Sequence, residues 1–117
     1  MASAVPYQNR LNGHVWFRFT ASNTINLVDC NYSNAENVSS LAITKIISTG
    51  QWNIARGSNV VWYTSDTNQT FDFVGNGTAI NDYANATVVC TYSGTGGTNG
   101  SIMIQLSKQT SANGTII

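Results

Sequence analysis

Between Leu41 and Ile80 the chain reads LAITKIISTGQWNIARGSNVVWYTSDTNQTFDFVGNGTAI, apolar runs of strand length separated by short polar connections. Val60, Val61, Trp62 and Tyr63 are consecutive β-branched or aromatic residues, which suit a pleated, half-buried surface. Gly50 divides Leu41–Ser48 from Gln51–Ala55; Arg56-Gly57-Ser58-Asn59 and then Asp66-Thr67-Asn68-Gln69 supply the next breaks. A parallel crossover needs about a dozen residues or more, so connections this short predict antiparallel strands. The expectation is a meander at the centre of an all-β domain.

The flanking sequence extends the pattern. In His14–Thr20, Val15, Phe17 and Phe19 share one face, with His14, Trp16, Arg18 and Thr20 on the other. Thr24–Val28 reads as a second short strand. Asp29–Ser40 (DCNYSNAENVSS) reads as a surface loop, because Ser and Asn compete with ladders through local hydrogen bonds; at most one helical turn is expected there, around Asn34–Val38. In Leu41–Ser48 strict alternation sets Leu41, Ile43, Lys45 and Ile47 against Ala42, Thr44, Ile46 and Ser48. Trp52 pairs with Ile54, and Phe71 with Phe73, while Asp72 faces away. Gly75-Asn76-Gly77 breaks the ladder before Thr78–Asp82 leads into Ala86–Tyr92. Ile102, Ile104 and Leu106 then alternate through Ser101–Lys108. The sum is about eight strands in an antiparallel β-sandwich, jelly-roll-like, spanning residues 13–108 between an N-terminal arm (1–12) and a C-terminal tail (109–117) that ends in two isoleucines. Strand order is not legible at this level.

Composition narrows the function. A chain of 117 residues is one domain able to bury a core. Only 9% of residues are charged and the net charge is zero, with Arg10, Arg18, Arg56, Lys45 and Lys108 scattered. No basic stripe forms, so no nucleic-acid partner is expected. A near-neutral, hydroxyl-rich surface is only weakly repelled by its own copies. Met1–Pro6 lacks the pattern of a signal peptide and no apolar run is long enough to span a bilayer, so no membrane association is expected. N-X-S/T recurs at Asn31, Asn37, Asn68, Asn76, Asn85, Asn99 and Asn113, read here as chance matches in an Asn- and Thr-rich chain. Cys30 and Cys90 admit two readings: a disulfide across the sandwich, or two buried thiols of a protein made in a reducing cytosol, the second being favoured.

No catalytic constellation emerges, so an enzyme is not expected and no catalytic, cofactor-binding or metal residues are assigned. Asp29, Glu36, Asp66, Asp72 and Asp82 are spread singly, and His14 is the one histidine. Two cysteines and one histidine fall short of a structural zinc site's usual four ligands. Ser93–Gly100 looks like a phosphate-cradling loop but opens a strand instead of a helix. Trp16, Trp52, Trp62, Tyr63 and Tyr83 could build a carbohydrate platform, although aromatics in a small β domain mostly serve the core.

Ile46-Ile47-x-x-Gly50-x-Trp52-x-Ile54-x-Arg56-Gly57-x-Asn59-x-Val61, then Phe71-Asp72-Phe73-x-Gly75-x-Gly77 and Ile102-x-Ile104-x-Leu106-x-Lys108, form a rhythm that resembles small all-β virion proteins of tailed bacteriophages, several of which are capsid decoration (cement) proteins. The resemblance covers roughly residues 41–108. It implies synthesis in the bacterial cytoplasm, residence on the capsid surface, assembly as a trimer or dimer, and the major capsid protein as partner, with the arms as contact elements and no catalytic residues. The alternative expectation is a carbohydrate-binding module of a phage fibre or spike, which would carry a solvent-facing aromatic cleft.

Overall fold

In the computed structural model the described residues are 4–10, 13–32, 37–65, 67–73, 79–93 and 100–110. They form nine strands: β1 (Gln8–Asn9), β2 (His14–Phe19), β3 (Asn23–Ile25), β4 (Val38–Thr49), β5 (Trp52–Arg56), β6 (Asn59–Tyr63), β7 (Gln69–Asp72), β8 (Val88–Tyr92) and β9 (Ser101–Thr110). A five-stranded sheet runs in the order β1-β2-β9-β4-β7, and a four-stranded sheet in the order β3-β8-β5-β6. Every pairing is antiparallel. The pairs are nested: β2 with β9, β3 with β8, β4 with β7, and β5 with β6. One long hairpin rolled upon itself gives this order, and that is the jelly roll.

Nesting corrects the expected meander. Only β5 and β6 are successive strands in one sheet within Leu41–Ile80; β4 hands over to β5, and β6 to β7, across the sandwich. The first handover is made at Gly50, whose φ of +87° places it in the left-handed region. Thr64 fixes that corner. Its hydroxyl accepts the Trp52 amide at 2.8 Å and donates to the Gly50 carbonyl at 3.0 Å, while its own amide bonds the Trp52 carbonyl at 2.9 Å. Trp52 Nε1 closes the group by donating to the Thr49 carbonyl at 3.1 Å.

The core lies between the sheets. Val15, Phe17 and Phe19 of β2, Ile102, Ile104 and Leu106 of β9, and Trp52 and Ile54 of β5 are buried, as their alternation predicts. In β4 the alternation inverts. Leu41 and Ile43 are buried as expected, but beyond them Ile46 and Ser48 point inward and Ile47 is 40% exposed. The ladder to β9 runs Ile43↔Leu106 and then Lys45↔Gln105, leaving Thr44 as the extra residue of a β-bulge. The buried Thr44 hydroxyl lies 3.0 Å from the Gln105 carbonyl oxygen and 2.9 Å from its Oε1, and donates to one of them at a time. One inserted residue thus moves every later side chain to the opposite face.

Three local readings also change. Leu27 and Val28 do not extend β3; Leu27–Cys30 is a 3-10 turn. The Asp29 carboxylate accepts the Asn26 amide at 2.9 Å and the Asp29 amide donates to the Asn26 carbonyl at 3.0 Å, so local bonds win over the ladder. In the stretch that leads toward β8, Ile80 makes an isolated bridge with Ile43. The expected arm contributes β1, which pairs with Val15 and Trp16 of the same chain, and β9 runs into the expected tail as far as Thr110. The helical turn sought around Asn34–Val38, the Gly75-Asn76-Gly77 break, residues 94–99 of the glycine loop and the terminal isoleucines lie outside the described residues, apart from Asn37 and from Val38, which opens β4.

Tyr92 seals the end of the sandwich at which β4 turns into β5. Its ring centroid is 5.2 Å from that of Trp52, and its edge rests against Gly50 and Gly100. A Cβ at Gly100 would fall on the ring itself. Gly100→Ala is therefore expected to displace Tyr92 from Trp52 and to cost about 1–3 kcal/mol by overpacking; a lowered urea midpoint at constant m-value, with altered Trp fluorescence, is the check.

Candidate functional site

The residues that carry chemistry are distributed by this fold, not gathered. His14 begins β2 and is exposed, opposite Ser107. Asp29 caps its own turn, and Asp72 on β7 lies 4.0 Å from Lys45 of β4, an ion pair open to solvent and worth little. Asp82 is exposed in a turn, while Glu36 and Asp66 lie outside the described residues. No group of three His, Cys, Asp or Glu side chains comes together among the described residues. Among the described residues no helix is long and apolar enough to cross a membrane.

The strongest polar construction is internal. Arg56 ends β5 on the same face as Trp52 and Ile54 and is fully buried. Its Nη1 donates to the Leu41 carbonyl at 2.8 Å, and its Nη2 to the carbonyls of Ala84 and Ala86 at 2.6 and 2.9 Å. The guanidinium thus ties β5 of the small sheet to β4 of the large one and to the segment entering β8. Burial pulls its pKa down, with Cys30 opposing in part; arginine remains charged regardless. Lys108 makes a second link. Its Nζ donates to Asn9 Oδ1 at 2.6 Å and to the Cys30 carbonyl at 3.3 Å, and Asn9 Nδ2 reaches the same carbonyl at 3.0 Å. Sequence reading placed Arg56 in a turn and Lys108 at a strand end. The signal for both was present, since each continues an alternation of buried side chains by two residues.

Both cysteines are buried, and neither is in a disulfide. Burial pushes the Cys90 thiol up to about 12, so Cys90 offers little thiolate at neutral pH.

What remains for function is the exterior. On the five-stranded sheet one row runs Gln8–Trp16–Gln105–Lys45–Asp72 and the next Arg18–Met103–Ile47–Thr70. Trp16 is half-buried among these neighbours. On the four-stranded sheet the outer rows are Tyr63–Asn53–Thr91 and Val60–Ala55–Val89–Thr24, without charge. A shallow groove of about 200 Å³ lies over β3 and β8, lined by Ser22, Asn23, Thr24, Val89, Cys90 and Thr91. That is below the usual range of small-molecule sites, and no aromatic ring lines it.

Of the three tryptophans expected as a carbohydrate platform, Trp16 lies half-buried on the outer face and the other two are engaged inside. Trp52 is fully buried, and Trp62 packs edge-on against Phe71 and Phe73 at centroid distances of 5.1 and 4.9 Å. The exposed rings are Tyr7, Tyr32, Tyr63 and Tyr83. No family model, curated protein or solved structure matches the chain.

Two outcomes follow from the interior. Arg56→Met removes the donor from one buried and two part-buried carbonyls, of which that of Ala84 keeps the Leu41 amide, and is expected to lower stability by about 1–3 kcal/mol, read as a shift in urea midpoint. For Cys90, the unfolded thiol titrates near 9.0 and the folded one near 12. Between those pH values the unfolded chain holds fewer protons, so stability falls as pH rises, by up to about 1.4 kcal/mol per unit. Cys90→Ala is expected to shallow that alkaline slope in denaturation curves taken from pH 8 upward.

Proposed function

We propose that this protein is a structural virion protein, a decoration subunit that binds the outside of a bacteriophage capsid through protein contacts. The observation that carries the reading is the division of labour in the jelly roll: its described polar machinery, Arg56 and Lys108, faces inward and holds strands together, while its outer sheet faces are broad, shallow and nearly neutral. Jelly rolls serve both viral capsids and lectins, and a fold alone does not choose between them. The aromatic residues favour the first. A glycan module needs rings presented in a cleft, whereas Trp52 is buried, Trp62 is packed between the sheets, and the groove over β3 and β8 lacks rings.

On this reading the major capsid protein is the partner, and the protein acts as an oligomer on the virion surface. Selective affinity for the assembled shell would stabilise it by mass action, and many copies would add avidity. Cosedimentation with purified empty phage heads tests the proposal, with a glycan array run in parallel. Saturable pelleting with heads and a blank array is the expected result. Array binding without pelleting would replace it with the fibre or spike module.

A further inference from the structure

Four strands end the two sheets: β1 and β7 in one, β3 and β6 in the other. β1 is two residues long. β3 is three residues long and flanked by side-chain bonds, from the Thr24 amide to Asn23 Oδ1 at 2.8 Å and from the Tyr92 amide to Ser22 Oγ at 2.9 Å. β7 carries the Asp72 charge and its pair with Lys45. β6 has none of these protections. It reads Asn59-Val60-Val61-Trp62-Tyr63, five residues with no charge, no proline and four strong strand formers. Its pairing with β5 has one bulge, at Val61, which leaves Val60 and Tyr63 on the same outer face. Uncharged edges of this kind are templates for another strand.

The backbone points the same way. The Thr64 amide bonds back to the Trp52 carbonyl of β5, so by antiparallel alternation the Tyr63 amide and carbonyl face away from β5, toward the open edge. Val60 and Tyr63 lie on the outer face and are 45% and 67% exposed. The same flank carries Phe71 and Phe73, packed on Trp62 and only partly buried.

We infer that β6 pairs antiparallel with β6 of a second copy, joining two four-stranded sheets into one of eight strands about a twofold axis. Charge selects this occupant: the strand is uncharged and the chain has no net charge, so two copies meet without repulsion. Geometry agrees. With Val61 opposite Trp62 of the second copy, Val60 falls opposite its Tyr63 on the outer face, twice over. Aromatic against β-branched is a favourable cross-strand pair, and a contact in which i meets j and j meets i is what a twofold axis requires. The inference goes beyond the decoration reading by naming the self-contact, and it does not require that reading to hold.

The test is sedimentation velocity of the purified protein over a wide concentration range, without phage heads. The wild type is expected to form a dimer. The double variant Val60→Lys/Tyr63→Lys sets like charges against one another across the junction and is expected to be monomeric, with unchanged circular dichroism. Val28→Lys, at a position 68% exposed on the 3-10 turn, is expected to dimerise like the wild type. Hydrogen exchange supplies the second readout, with the Tyr63 amide slowing as the dimer forms. A wild type that stays monomeric overturns the inference, and so does a dimer that survives both lysines. A monomer whose Tyr63 amide becomes protected only on phage heads also overturns it, by giving β6 to a strand of the capsid. Failure to pellet with heads, by contrast, bears on the decoration proposal alone.

Discussion

The fold depends on how one buried cation is satisfied. Arg56 reaches across the sandwich from β5 and finds backbone carbonyls of Leu41, Ala84 and Ala86. A guanidinium suits this task because its planar fork holds several donors in fixed directions, whereas an ammonium is a compact point charge. Those carbonyls belong to backbone that no regular ladder fully serves: the Leu41 amide turns to Ala84, and the Ile43 amide and carbonyl turn to Ile80. The stretch from Ile80 to Ala86 runs beside β4 where β7 has already ended, and Arg56 pins it there. Desolvating the cation is unfavourable in itself, so the arrangement persists only because three acceptors converge on it.

Lys108 repeats the device on a smaller scale. It continues the inward face of β9, and its ammonium joins Asn9 of β1 to the carbonyl of Cys30. A chain with few carboxylates thus places two of its five basic residues inside and pairs them with dipoles. The exterior is left with little charge of either sign. Weakly charged faces discriminate poorly by electrostatics, so the role proposed above would draw on shape, backbone pairing at edges and the summed effect of many copies.

Much of this was legible from residue order. Val15-Phe17-Phe19, Trp52-Ile54 and Ile102-Ile104-Leu106 declared their buried faces by simple alternation, and the short connections declared antiparallel strands. The rest was hidden for identifiable reasons. Gly50 looks like a hairpin turn in sequence, but only tertiary contacts with Thr64 and Tyr92 reveal that the chain changes sheets there. The bulge at Thr44 leaves no mark in a run of β-branched residues. Arg56 was read as a turn residue because charge outweighed its position two residues after Ile54. The exposed edge of β6 was visible as a strand, yet its being the last in its sheet is a matter of strand order, which nested pairing decides and local sequence does not.

On the proposed reading the interior is structural and partners are met at edges and outer faces. Residue-resolved hydrogen exchange of the protein, free and bound to phage heads, tests this most directly. The account predicts that added protection on binding is confined to edge strands and surface loops, with the amides around Leu41, Ile43 and Ala86 unchanged because Arg56 already holds that backbone. Protection gained instead over the Ser22–Thr24 and Val89–Thr91 groove on adding a glycan, with none on adding heads, would contradict it.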